Sequence, residues 1–264
     1  MLNKSWRKTF IVIMLLLAAG LYPAVASAAA PTAAAGSAEA PAGNPPAKKG
    51  QTAGNDVSRA ADRLQPLSPE EQQQVLSRIR QKFRRPELLQ GHFTQTTTFA
   101  DSTDTQVASG RIWLQGPDKM RWEYAEPEKQ ILVTDGRTIW YYTPDLNQVM
   151  TGSVKEMKEA RIIVNLLSRL DSKVEGYDLK TARTGRRLVL SLVPRKGAEA
   201  PPFEKLEVYF SEPGLQLTET RLVDLFANRI AITYRWDGPP GKPRPKAFFM
   251  FVPPKGCDVM PLGQ

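Results

Sequence analysis

The sequence predicts a mainly β protein of the α+β class: one large antiparallel sheet, curled or closed, with helices capping its concave side. Three observations predict it. From Gly91 onward, short segments alternate apolar and polar residues, and turn residues separate them at short, fairly regular intervals. An amphipathic helix precedes them. A helical insertion interrupts them; its first half is polar and charged, its second half, Ile162–Leu167, is apolar almost all round, and such a helix is buried against something.

Residues 1–28 have the pattern of a secretory signal peptide. Lys4, Arg7 and Lys8 form the basic start, Phe10 to Leu21 the apolar run, and Ala26-Ser27-Ala28 the small-residue cleavage site. The run is short for a membrane span and no stop-transfer pattern follows. Cleavage is expected near Ala28, with export from a bacterial cytoplasm. Residues 29–58 are a leader of Ala, Pro and Gly that cannot bury enough apolar surface to order itself. The folded domain is expected over residues 59–264.

Within that domain, Ser68-Pro69-Glu70-Glu71 is a helix start, with serine at the cap, proline at the first position and glutamate three after the cap. Val75, Leu76, Ile79 and Phe83 then make one apolar stripe, and Arg84, Arg85 and Pro86 end the helix. Strands follow at "GHFTQTTTF", "QVASGRIWLQ", "DKMRWEYA", "KQILVT", "RTIWYYT" and "NQVMTG", with a hairpin signal at Asp135-Gly136. The helical insertion runs from Val154 to Asp171. Later strands are expected at "KVEGYDLKT", "RRLVLSLVP", "FEKLEVYFS", "LQLTETRLVD", "NRIAITYRW" and "AFFMFVPP".

Composition narrows the function. The single cysteine, Cys257, excludes an intramolecular disulfide, and it is expected to be a small buried apolar residue. No cysteine follows the signal peptide to take a lipid. Of 36 basic residues, removing Lys4, Arg7 and Lys8 leaves 33 against 27 acidic, so the mature chain carries about +6. Export argues against nucleic acid as a partner. The one histidine, His92, is expected at the surface or satisfied. No cluster has metal-ligand spacing, and no phosphate loop or nucleophile elbow occurs. The expectation is a binding protein with no catalytic residue, no metal and no cofactor.

Aromatic weight is high between Trp113 and Tyr142. In Lys119–Tyr124, strand periodicity sends Met120, Trp122 and Tyr124 one way, and Arg121 and Glu123 the other, toward water. Pattern alone leaves two readings open. These residues pack under the helices, or they form an adaptable apolar wall for a ligand.

The run Phe93–Val149 resembles the LolA family of periplasmic outer-membrane lipoprotein carriers. The residues that carry the resemblance are Phe93-Thr94-Gln95, Gly110 with Ile112-Trp113-Leu114, Pro117 with Arg121-Trp122, Pro127, Ile131–Gly136, and Ile139–Tyr142 with Pro144 and Gln148. "FMFVPPKGCDV" looks like the family's closing strand and turn. The resemblance implies an open, unclosed antiparallel β-barrel with a helical lid over a hydrophobic cavity. It implies a cavity for acyl chains lined by Ile112, Leu114, Met120, Trp122, Tyr124, Leu132, Ile139 and Tyr141. Ile163, Leu166 and Leu167 of the lid would fill that cavity when no cargo is present.

The implied partners are acylated lipoproteins, an inner-membrane lipoprotein-releasing ABC transporter and an outer-membrane lipoprotein acceptor, with the carrier acting as a monomer. One departure is visible. Family members often have an arginine just before the proline that is here Pro117, where it ties the closed lid to the sheet; this chain has Gly116. A carrier or sensor of another lipid or glycolipid, built on the same half-barrel, is the alternative. A structural protein with a dry core is the rival of another class.

Overall fold

The computed structural model describes residues 64–85, 87–101, 104–116, 118–155, 176–197 and 203–262. The signal peptide, the leader, Pro117 and most of the helical insertion, with Ile163, Leu166 and Leu167, lie outside them.

Helix α1, Pro69–Phe83, starts where its residues dictate. The Glu71 amide donates to Ser68 Oγ at 3.2 Å, and the Ser68 amide donates to Glu71 Oε2 at 3.0 Å. This capping box satisfies two otherwise unpaired backbone donors. Glu70 and Glu71 lie at the helix N-terminus and Arg80 and Lys82 in its last turn, each sign matching the helix dipole. Val75, Leu76, Ile79 and Phe83 form the buried stripe.

Among the described residues, thirteen strands make one sheet. They are β1 (Gln65–Pro66), β2 (Leu88–Thr98), β3 (Thr105–Gln115), β4 (Lys119–Glu126), β5 (Gln130–Thr134), β6 (Thr138–Thr143) and β7 (Gln148–Ser153). β8 (Tyr177–Thr184), β9 (Arg187–Pro194), β10 (Lys205–Ser211), β11 (Leu217–Val223), β12 (Arg229–Trp236) and β13 (Asp258–Pro261) follow. The spatial order is β1-β8-β9-β10-β11-β12-β2-β3-β4-β5-β6-β7-β13. Two meanders, β2–β7 and β8–β12, therefore join along β12 and β2, from Arg229 opposite Thr98 to Trp236 opposite Gly91. The rims β1 and β13 do not pair with each other, so the sheet is open.

The sheet is strongly curled. Trp122 on β4 and Tyr234 on β12 are separated by two intervening strands, yet their ring centroids are 6.1 Å apart. A flat sheet would hold their backbones roughly 14 Å apart. Gly110 contributes to the closure. It stands in register between Phe93 on β2 and Tyr124 on β4, and it adds no side chain between them. The Phe93 ring accordingly touches Trp122 and Tyr124 at 4.7 Å each.

The C-terminal segment departs from expectation. "AFFMFVPP" is not a strand: Lys246–Phe249 forms a 3₁₀ turn. Phe249 is fully buried beside Leu88 and Trp113, and Phe248 meets Trp113 edge-on at 5.6 Å. Pro253 and Pro254 then lack the N–H groups a ladder needs. The last strand is β13, which runs parallel to β7, so the sheet is mixed and not wholly antiparallel.

This segment straps the convex face. Arg121 therefore does not simply face water. Its side chain is 17% exposed, pairs with Glu123 at 2.6 Å, donates to the Phe248 carbonyl at 3.3 Å and lies over the Phe248 ring. Cys257 is half-buried rather than buried, with its thiol donating to the Asn147 carbonyl at 3.0 Å. His92 is at the surface as expected, with Nδ1 3.2 Å from Asp237 Oδ1.

Candidate lipid-binding face

Strand periodicity puts the described predicted residues on one concave surface. Ile112 and Leu114 on β3, Trp122 and Tyr124 on β4, Leu132 on β5, and Ile139 and Tyr141 on β6 belong to one buried cluster. Met120 is partly buried against it. Register aligns them across the sheet: Ile112 faces Trp122, Trp122 faces Leu132, and Leu132 faces Tyr141. The structure thus brings together all eight described residues. Ile163, Leu166 and Leu167 lie outside the described residues.

Sequence reasoning missed the other wall. Leu188, Leu190 and Leu192 on β9, Val208 and Phe210 on β10, and Ile230 and Ile232 on β12 join the same cluster. The signal was present as alternation in "RRLVLSLVP" and "NRIAITYRW". What the sequence lacked was the pairing of β12 with β2, which folds both meanders around one hollow.

Helix α1 lies across this hollow. Val75, Leu76, Ile79 and Phe83 share its core, and the Phe83 ring meets Phe210 edge-on at 5.8 Å. The polar ties of α1 run to the β8–β11 side. Thr181 Oγ1 donates to Gln72 Oε1 at 3.1 Å, Arg78 reaches the Pro213 carbonyl at 3.3 Å, and Lys82 donates to the Gly214 carbonyl at 2.6 Å. Burial lowers the Lys82 pKa, with Glu87 partly opposing it and Arg85 reinforcing it.

Gly116 shows why no arginine latch stands at the β3–β4 turn. A Cβ there would collide with the Phe83 carbonyl oxygen and lie 2.6 Å from that of Arg85. The backbone at the C-terminal end of α1 occupies the space where a side chain would begin.

The hollow is apolar but not wholly so. Gln95 on β2 is 1% exposed and Gln130 on β5 is 5% exposed, and both share faces with cluster residues. Tyr124 OH donates to Gln95 Oε1 at 3.1 Å. Burial pushes the Tyr141 and Tyr234 hydroxyls well above the usual phenol range, so both stay neutral donors. A separate cavity of about 530 Å³ lies on the convex side, lined by Leu88, Gln90, Asp237, Lys242, Arg244 and neighbouring prolines and glycines. It contains none of the predicted residues. Among the described residues, no cluster of His, Cys, Asp and Glu could hold a metal ion.

Residues 84–248 match the sequence profile of the family described as "Outer membrane lipoprotein carrier protein LolA". The chain belongs to the LolA family. That family is one of carriers, not of enzymes. An outer-membrane lipoprotein carrier protein of Xanthomonas campestris pv. campestris is 34% identical over 178 residues, covering 65% of this chain and 81% of the relative. One from Alkalilimnicola ehrlichii is 31% identical over 176 residues, covering 66% and 78%. Among solved structures, a LolA superfamily protein from Nitrosomonas europaea aligns over 67% of this chain and 97% of its own, with TM-score 0.38 and 12% identity. An uncharacterized conserved protein from Thermus thermophilus aligns over 72% and 99%, with TM-score 0.44 and 14% identity.

Proposed function

We propose that the concave face takes the acyl chains of lipoproteins in the periplasm, after signal-peptide cleavage near Ala28. The carrier accepts them from an inner-membrane lipoprotein-releasing ABC transporter and passes them to an outer-membrane lipoprotein acceptor. The observation that carries this reading is the continuous apolar face from β3 through β6, roofed by α1 on an unclosed sheet. Ile112, Leu114, Met120, Trp122, Tyr124, Leu132, Ile139 and Tyr141 are the residues we assign to the acyl chains. Ile163, Leu166 and Leu167 are assigned to the lid, which fills the hollow between loads.

The energetics require such self-filling. Each buried CH₂ contributes about 0.8 kcal/mol, so one chain of roughly sixteen carbons offers about 13 kcal/mol gross. A rigid empty hollow would hold its cargo too tightly to release it. Here α1 already places Ile79 and Phe83 in the hollow, so cargo must displace protein contacts, and net affinity falls. Without an arginine before Pro117, the ties that oppose displacement include those of Gln72, Arg78 and Lys82.

Native mass spectrometry of the mature chain from periplasm, with lipoprotein release active, tests the reading. A one-to-one complex with acylated lipoproteins is expected. A complex with free lipid alone would move the function to another cargo. A bare mass, with no crosslinking of an acyl probe to a photoreactive residue at position 122, would end the acyl reading.

A further inference from the structure

Two buried polar atoms on the concave face have no hydrogen-bond partner among the described residues: Gln95 Nε2 and Gln130 Oε1. Such groups are rare because each is stripped of water without compensation. Their placement is specific. Tyr124 lies opposite Gln130 in the β4–β5 register. Its hydroxyl also reaches over β3 to Gln95, past Gly110, whose missing side chain leaves the path open. Three polar groups, from β2, β4 and β5, therefore line one wall that is otherwise hydrocarbon and aromatic. One unpaired atom is a donor and the other an acceptor.

A hydrocarbon chain satisfies neither atom. The group that joins the chain to its head does. An ester carbonyl accepts from the Gln95 N–H. A secondary amide offers both complements, a carbonyl for the Gln95 N–H and an N–H for Gln130 Oε1.

We propose that Gln95 and Gln130, with Tyr124 setting the first, form a polar subsite on the concave face that reads the carbonyl linkage of an acyl ligand. The inference rests on the reading of that face as the acyl site. It makes the linkage, and not only chain length, a determinant of recognition. Amide is preferred over ester, and ester over ether.

The test uses the full mature chain and three amphiphiles with the same chain and headgroup, joined by an amide, an ester or an ether. Titration by calorimetry gives the three affinities. In the parent protein the amide binds tightest and the ether weakest. In Gln95→Met/Gln130→Met, which keeps side-chain length and removes both polar ends, the amide loses about tenfold and the ether is unchanged, while the melting temperature falls only by what the lost Tyr124–Gln95 bond contributed. Tyr124→Phe, which frees Gln95, gives an intermediate loss. If the double variant does not fold, Gln130→Met alone reads the same ratio. All three amphiphiles binding with an unchanged amide-to-ether ratio in the variants overturns the subsite and leaves the acyl face standing. No binding of any amphiphile to the parent chain overturns both.

Discussion

Strands β2–β7 and strands β8–β12 line the same hollow with different side chains. The first meander contributes Phe93, Trp122, Tyr124 and Tyr141, together with the two amides. The second contributes mostly leucine, valine and isoleucine, and it holds the polar ties of α1. Their outer faces differ in the opposite sense. Behind β2–β7 lies the aromatic strap around Phe248 and Phe249. Behind β9–β11 there is a charged lattice: Arg187 and Arg221 both reach Glu219 and both stack on the Tyr209 ring, while Lys205, Ser191 and Tyr209 bond Glu207. The comparison assigns tasks. The aliphatic half anchors the helix, and in the function proposed above the aromatic half offers large, adaptable area to a ligand.

Core truncations should break the comparison most visibly. Phe249→Ala removes a fully buried ring from the strap and should cost about 3–5 kcal/mol in urea unfolding. Leu190→Ala in the other half should cost about 2–5 kcal/mol, with acyl affinity nearly unchanged. Trp122→Leu should invert that pattern, losing acyl affinity by more than its loss of stability accounts for. Equal effects of Leu190→Ala and Trp122→Leu on affinity would erase the division of labour.

Smaller effects sharpen it. Lys82→Met breaks an exposed tie to the Gly214 carbonyl and should lower stability by about 1 kcal/mol or less. It should also speed uptake of an acyl probe in stopped-flow fluorescence, because α1 is freed from β10–β11. An unchanged rate would mean that the tie does not govern opening.

The smallest expected effect is on pH dependence. Burial alone would raise the Glu207 pKa, but Lys205, Tyr209 and Ser191 outweigh it and hold the carboxyl below its ordinary 4.5. Asp135, in the other half, is also lowered. There burial is outweighed by the Thr138 and Arg137 backbone amides, helped by the charges of Lys246 and Arg137. A lowered folded pKa gives stability that is present above the unfolded value and is lost as pH falls through the folded one. The stability gap between the parent and Glu207→Gln should therefore narrow as pH drops below about 4.5. Asp135→Asn should behave in the same way. A gap independent of pH would remove these carboxylates from the account of acid sensitivity.

Much of this was legible in the sequence. The capping box at Ser68 and Glu71 is a local signal and formed as read. So did the alternation of Met120, Trp122 and Tyr124, because one pleated strand fixes which way each side chain points. What was not legible depended on distant partners. Arg121 alternates toward the outside, but the sequence does not say that Phe248 will lie on it. "AFFMF" has strand composition, yet its phenylalanines were claimed by Trp113 and Leu88 and its prolines barred a ladder. Gln95 reads as a polar strand residue. Only the curl that brings Tyr124 to its oxygen, and no described residue to its nitrogen, makes it a candidate site.

The open sheet leaves two free edges, and both are blunted. At one, β1 is two residues long and its second residue is Pro66, which has no N–H to offer. At the other, β13 begins with a carboxylate at Asp258 and ends at Pro261. Among the described residues, each terminal strand is thus a poor template for a further strand, although β1 covers only Ala182 and Arg183 of the eight-residue β8. An open sheet can end in strands that discourage the addition of another chain at its two rims.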